Sequence, residues 1–101
     1  MSAREPIEPL GEDALRDALD DLPAWSHDED HAALTRTFSF PDFSAAFGFM
    51  TRAAMLAERD DHHPEWTNVY GTVIVRLTTH ECDGVSVRDV KMAQAMDRLA
   101  G

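Results

Sequence analysis

The feature that most constrains the fold of this sequence is an alternation of apolar and polar residues in two separate segments. In ALTRTFSF, Leu34, Phe38 and Phe40 lie on one side and hydroxyl-bearing residues lie on the other. Arg36 interrupts the apolar side, which suggests a position near a sheet edge or a partner chain. In EWTNVYGTVIVRLTTH, two runs flank Gly71. The period of two predicts β-strands, and the glycine predicts a turn between the last two of them.

Two of the three predicted helices lie toward the ends of the chain. The first has its apolar residues on one face from Glu12 onward and ends before Pro23. Trp25 follows this helix and is predicted to open a short edge strand. The last helix begins at Ser86, which forms a capping box with Asp89 three residues later. The strands are therefore expected between these two helices.

The third predicted helix separates the two pairs of strands. Asp42 is a suitable N-cap residue, and helical spacing continues to about Arg59 before Pro64 stops the helix. Its predicted buried stripe consists of Phe43, Phe47, Met50, Ala54 and Ala57, widened by Phe49, Ala53 and Leu56. So wide an apolar stripe indicates a long helix with a large buried surface.

These elements follow the order α-β-β-α-β-β-α. Because the strands come in hairpin pairs, we predict a four-stranded antiparallel sheet with the three helices on one face. A second subunit could cover the other face. No internal repeat or Gly/Ser-rich linker divides the sequence, so we expect a single α+β domain over residues 1–101.

The charge balance of the chain limits its partners. Nineteen acidic residues against nine basic ones give a formal net charge of −10, which repels nucleic-acid phosphates and anionic membrane surfaces. The apolar runs are also too short to span a membrane. Cys82 is the single cysteine, so no intrachain disulfide can form, and a reducing compartment fits. We therefore expect a cytoplasmic protein without direct nucleic-acid or membrane contacts.

Several polar residues that can transfer protons are predicted to meet at one end of the sheet. Glu58 and His62 are four residues apart and share a face if the helix continues that far, whereas His63 points elsewhere. His80 ends the last strand, and the hairpin folds this strand back toward the segment where it began. Glu58, His62, His63 and His80 are therefore expected to converge.

Three interpretations of this cluster remain open from spacing alone. The residues can be exposed or capping polar groups, ligands of a metal ion, or groups that perform acid–base chemistry. The side chains of adjacent histidines diverge, and no C-x-x-C or H-E-x-x-H pattern accompanies them, which disfavours a metal site. Imidazole titrates near neutral pH and can both give and take a proton, which favours acid–base chemistry.

The same residues resemble a known family signature. The segments HHPEW, NVY and THEC, together with RTFSFPDFSAAFGFM upstream, are similar to those of the pterin-4a-carbinolamine dehydratases, from about Trp25 to the C-terminus. The positions that carry this resemblance are Glu58, His62, His63, Pro64, Tyr70, His80 and Asp89.

The resemblance implies a fold, an assembly and a reaction. The family has a four-stranded antiparallel sheet with three helices on one side and assembles as dimers or tetramers. Its members are hydro-lyases that remove water from 4a-hydroxytetrahydrobiopterin to give quinonoid dihydropterin. This reaction needs neither a metal ion nor a cofactor, and it belongs to tetrahydrobiopterin recycling. A functional link to an aromatic amino acid hydroxylase, which produces the substrate, is also implied.

The resemblance further assigns catalysis to His62, His63 and His80. We hypothesise that His62 and His80 perform the proton transfers while His63 holds the substrate or shares a role. Glu58 is expected to accept a hydrogen bond from a histidine, and Trp66 is either an aromatic wall for the pterin ring or a core or interface residue.

The remaining implied site residues have weaker or indirect roles. Thr79, Glu81 and Cys82 flank His80, and their backbone groups could pair with the pyrimidine edge of the pterin. For the Cys82 side chain, packing as a small residue is the better interpretation. Tyr70 and Asp89 are expected to give structural support, Asp89 through its capping box.

A different class of function is a non-catalytic protein-binding module. Some proteins of this family resemble dimerisation cofactors or coactivators of a transcription factor, and others resemble assembly chaperones. Here all three histidines are present, which favours the enzyme.

Overall fold

The computed structural model describes residues 6–101, and their element order confirms the predicted α-β-β-α-β-β-α. The elements are α1 (Glu12–Asp20), β1 (Ser26–Asp28), β2 (Ala33–Ser39), α2 (Phe43–Asp60), β3 (Glu65–Val69), β4 (Thr72–Leu77) and α3 (Val87–Ala100), with a short 3₁₀ turn at His80–Cys82. Among these helices, none is both long enough and apolar enough to cross a membrane.

The four strands form one antiparallel sheet in the order β1-β2-β4-β3. The alternation seen in the sequence sets its two faces, because Leu34 pairs with Leu77 and Phe38 pairs with Val73, all four fully or almost fully buried. Phe49 of α2 packs on the same side of the sheet, in contact with Phe38 at a ring-centroid distance of 4.6 Å. The hydrophobic core therefore lies between the sheet and the helices.

Arg36 shows why a charged residue can stand on the buried side of a strand. Its Nη1 donates to Asp97 Oδ1 of α3 at 2.5 Å, and its guanidinium lies 4.0 Å from the centre of the Phe38 ring. Trp25 Nε1 donates to the same carboxylate oxygen at 2.8 Å. The prediction of a position near the sheet edge is confirmed, since β1 pairs with β2 only through Ala33, Leu34 and Thr35, and Arg36 lies just beyond this pairing. A carboxylate supplied by α3 satisfies the charge.

The helix α2 begins where the sequence predicts. Asp42 adopts an extended backbone, and its Oδ1 accepts a hydrogen bond from Ala45 N at 2.8 Å, which satisfies one of the free amides of the first turn. The helix ends at Asp60, close to the predicted end at Arg59.

The buried face of α2 differs from the predicted stripe. Its buried residues are Ala46, Phe49, Ala53 and Ala57. Phe43 and Phe47 are 51% and 54% exposed, so their prediction as core residues is wrong, and their rings contact each other at 5.5 Å instead. Three alanines let the helix approach the sheet closely, whereas two more phenylalanines on that face would hold it away.

Candidate active site

The turn after α2 separates two adjacent histidines. The Asp61 backbone is left-handed (φ 49°), its N–H donates to Glu58 O, and His62 N–H reaches back to Ala57 O at 3.0 Å. This pair of bonds is a Schellman motif, which ends a helix and reverses the chain. Because the chain reverses here, His62 folds inward with only 7% of its surface exposed, whereas His63 remains exposed.

His62 is held by a buried carboxylate. Its Nε2 lies 2.6 Å from Asp89 Oδ1, and Asp89 is fully buried. The other carboxylate oxygen accepts from Thr79 Oγ1 at 2.7 Å and from Ser86 N at 2.9 Å. The predicted capping box is confirmed by the Ser86 bond, but the same carboxylate also orients His62. A buried carboxylate with three donors is strongly held in one position.

His63 has a partner of its own. Its Nε2 lies 2.6 Å from Glu58 Oε1, and both side chains are exposed. Glu58 was expected to share a helix face with His62, but α2 ends before His62, so that expectation is wrong. The predicted bond from Glu58 to a histidine is present, with His63 as the partner.

His80 lies in the turn that follows β4. The sequence predicted His80 at the end of that strand, and this prediction is wrong, because β4 stops at Leu77 and His80 opens the 3₁₀ turn. Thr79 and Gly84 close this turn through two backbone hydrogen bonds of 2.9 and 3.3 Å. The His80 side chain is 82% exposed, and its Nε2 lies 3.5 Å from Glu65 Oε1.

The three histidines line one open cleft of about 430 Å³. The other residues lining it are Asp61, Pro64, Glu65, Thr78 and Glu81. Its volume is within the range of small-molecule sites, and its walls are mostly polar or charged. Each histidine faces a different carboxylate, and within residues 6–101 no three His, Cys, Asp or Glu side chains converge as ligands for a metal ion. The arrangement suits proton transfer to and from a bound molecule.

The three residues flanking His80 differ in what they can offer a ligand. Glu81 lines the cleft and accepts from Arg88 Nη1 at 2.5 Å. Thr79 is buried and its N–H already donates to Gly84 O, while the Cys82 N–H donates to Thr79 O. Among these three, Glu81 is the residue that lines the cleft.

Neither Trp66 nor Tyr70 lines the histidine cleft. Trp66 pairs with Val75 and is partly buried against the core, which favours its interpretation as a core residue. Tyr70 is 81% exposed in the turn at the far end of β3, with a left-handed backbone (φ 51°). Its contribution to the site is therefore at most indirect, through this turn.

Sequence reasoning missed two contacts beside the cleft. Asp89 was expected to act on the site only indirectly, through its structural role as a cap, although one carboxylate can accept more bonds than a cap supplies. Glu65 was given no role, yet its strand register places it opposite Arg76, where its Oε2 accepts from Nη2 at 2.9 Å. The strand register itself was the signal, since an acidic and a basic residue placed opposite each other on one face are expected to pair.

Cys82 gives a prediction that does not depend on any activity. Burial, followed by the negative charges of Asp89, Asp83 and Glu81, raises the pKa of its thiol, and Sγ contacts the carbonyls of Thr79 and Gly84 at 3.6 and 3.8 Å. Because the thiolate is the reactive form, we expect iodoacetamide to alkylate the folded protein several-fold more slowly than the urea-unfolded chain at pH 8. Mass spectrometry of timed samples measures both rates, and equal rates would contradict the packed thiol.

Comparison with known proteins agrees with the geometry. Residues 8–99 match the model of a family described as pterin 4 alpha carbinolamine dehydratase. A Rhizorhabdus wittichii relative is 56% identical, covering 93% of this chain and 97% of its own. One from Novosphingobium aromaticivorans is 59% identical, covering 84% and 90%, and both carry the provisional name pterin-4-alpha-carbinolamine dehydratase. A Brucella melitensis crystal structure, described as a transcriptional coactivator/pterin dehydratase, matches with a TM-score of 0.90 at 48% identity, covering 93% of this chain and 100% of that one. With its fold, its histidine cleft and these matches in agreement, this chain belongs to the pterin-4α-carbinolamine dehydratase family.

Proposed function

We propose that this protein dehydrates 4a-hydroxytetrahydrobiopterin to quinonoid dihydropterin by acid–base catalysis with histidines. The observation that carries the proposal is the single cleft in which His62, His63 and His80 each face a carboxylate. Membership of the dehydratase family supports the reaction, and the distances support the roles of the residues.

The reaction requires two proton movements. Hydroxide leaves poorly, so the oxygen on C4a must gain a proton as the C4a–O bond breaks, and N5 must lose one as the new C=N bond forms. The products are water and the quinonoid dihydropterin. The enzyme regains its starting protonation once it has given one proton to the leaving oxygen and taken one from N5. Each positioned proton transfer contributes roughly 10²–10⁴-fold to the rate.

His62 and His80 are the two groups assigned to these transfers. Asp89 accepts the hydrogen bond of His62 Nε2–H, which fixes the ring tautomer and leaves Nδ1 as the nitrogen that exchanges a proton with substrate. His80 stands exposed at the same cleft and serves the second transfer. His63, paired with Glu58 at the rim, helps to hold the pterin.

The proposed reaction also implies partners. An aromatic amino acid hydroxylase supplies the hydroxypterin, and a reductase returns the quinonoid product to the tetrahydro form, in the cytoplasm. Phe43, Phe47 and Met55 leave a large apolar surface on α2, which supports a homodimer or homotetramer.

A protein-binding role is the second candidate function. The same apolar surface of α2 favours it, together with the coactivator description of the Brucella melitensis relative. Binding through α2 does not need the histidines. Substitution of the histidines therefore separates the two functions, because binding would persist while dehydration would be lost.

The experiment that tests the proposal follows dehydration of freshly generated 4a-hydroxytetrahydrobiopterin by absorbance. We expect the wild-type protein to accelerate the reaction above the spontaneous rate, and the His62→Ala/His80→Ala double variant to return it to that rate. Thermal unfolding of both proteins controls for folding. No acceleration by the wild type would overturn the dehydratase, and full activity of a folded double variant would overturn the histidine mechanism.

A further inference from the structure

One of the three histidine–carboxylate pairs differs from the other two. His62 and His63 each lie 2.6 Å from a carboxylate oxygen, whereas His80 Nε2 lies 3.5 Å from Glu65 Oε1. The Glu65 carboxylate is also the one of the three that a guanidinium holds. Neither the sequence analysis nor the family resemblance assigns a role to Glu65.

The strand register explains why the guanidinium reaches Glu65. Glu65 of β3 is directly opposite Arg76 of β4, so both side chains leave the same face of the sheet. Arg76 donates to Glu65 Oε2 twice, from Nη2 at 2.9 Å and from Nε at 3.2 Å. With Oε2 occupied in this way, Oε1 is the oxygen that faces His80.

His80 needs such a support more than the other histidines do. Its side chain is 82% exposed and rises from a short 3₁₀ turn, so little packing restricts its rotamers. A fixed carboxylate restricts the ring and keeps Nε2 close to Oε1. A free glutamate on the sheet would do this less well, because its own rotamers are unrestricted without Arg76.

We propose that Glu65 is a positioning residue for His80, held in place by Arg76, and that it acts on the chemical step and not on substrate affinity. The inference rests on the proposed dehydration for its kinetic consequence, but the positioning itself is a property of the free protein. The competing interpretation is a surface ion pair between Glu65 and Arg76 with no bearing on the site, since exposed pairs usually contribute little.

The kinetic test compares Glu65→Gln with the wild type on 4a-hydroxytetrahydrobiopterin, measuring kcat and KM separately. We expect kcat to fall about tenfold with KM within twofold, since a misplaced catalytic group slows the chemical step. Glu65→Asp keeps the charge and is expected to recover part of the loss. Glu29→Gln, which removes the same charge from the exposed turn between β1 and β2, is the matched control and is expected to leave kcat unchanged.

A double-variant comparison decides whether Glu65 acts through His80. In the His80→Ala background, Glu65→Gln is expected to cause no further loss of kcat, because the group that it positions is absent. An additional tenfold loss in that background would overturn the proposal, as would an unchanged kcat in Glu65→Gln alone.

A measurement on the free protein separates this proposal from the proposed function. We expect the ring ¹H and ¹⁵N resonances of His80 to shift in Glu65→Gln and in Arg76→Ala, and to stay unchanged in Glu29→Gln. If the wild type shows no dehydratase activity but His80 responds in this way, the proposed reaction fails and the positioning stands. If the His80 resonances ignore both substitutions, the positioning is wrong whatever the activity.

Discussion

Asp89→Asn is expected to lower kcat for dehydration by roughly 10²–10⁴-fold while the protein remains folded. The asparagine side chain has the shape of aspartate but only one acceptor oxygen and an NH₂ group in place of the other. Ser86 N and Thr79 Oγ1 both donate to Oδ2, so the amide oxygen is expected to take that position. The NH₂ group then faces His62 Nε2, which is 2.6 Å from the present Oδ1.

This exchange reverses the tautomer of His62. An NH₂ donor requires Nε2 to act as the acceptor, which moves the ring proton to Nδ1. In the proposed mechanism the buried wild-type carboxylate keeps the proton on Nε2, so that Nδ1 accepts a proton from substrate when the ring is neutral. In the variant, Nδ1 therefore carries the ring proton and cannot accept another from substrate, although the ring itself can stay in place.

Two measurements check the Asp89 prediction. The ¹⁵N shifts of the His62 ring report the tautomer directly, and absorbance assays report kcat. Asp89→Ala should also lower the free energy of unfolding by about 3–5 kcal/mol. This substitution leaves Ser86 N, Thr79 Oγ1 and His62 without their buried acceptor. Asp20→Asn, at an exposed position of α1, is the control for loss of charge. Activity of Asp89→Asn within threefold of the wild type would contradict the role of this carboxylate.

The periodic parts of the fold were predictable from the sequence because local patterns determine them. The alternation at Leu34 and Phe38, the Asp42 cap and the Ser86–Asp89 capping box all correspond to features of the structure. The face of α2 was not predictable in the same way. The helix carries apolar residues on most of its faces, so the sequence does not show which face is buried. Only the fit against the sheet selects Phe49 and three alanines over Phe43.

The convergence of the histidines was predictable, but their partners were not. Asp89 lies 27 residues from His62 in sequence, and nothing local reveals that α3 brings the two together. The assignment of Glu58 failed for a local reason. A left-handed Asp61 ends α2 two residues too early for Glu58 and His62 to form an i,i+4 pair. Because few non-glycine residues adopt this conformation, the sequence did not indicate the turn.

The turn between β3 and β4 provides the second large prediction, which concerns stability. Gly71→Ala is expected to lower the free energy of unfolding by about 3 kcal/mol. A Cβ at this position would lie 2.4 Å from Phe40 O, a backbone atom that cannot rotate away. Relief requires the end of β2 to move, which disturbs the 2.8 Å bond from Phe40 N to Gly71 O and the 5.1 Å contact between the Phe40 and Phe49 rings.

The reason for this glycine is close approach and not backbone freedom. The left-handed residue of the turn is Tyr70 (φ 51°), so the conformation of Gly71 is not what excludes a side chain. Gly48→Ala in α2 is the matched control, because its Cβ would meet only the flexible end of Arg52 at 3.3 Å. That variant is expected to be neutral or up to about 1 kcal/mol more stable, through helix propensity. Urea unfolding of both variants measures the contrast, and similar midpoints would show that β2 yields to the new methyl group without cost.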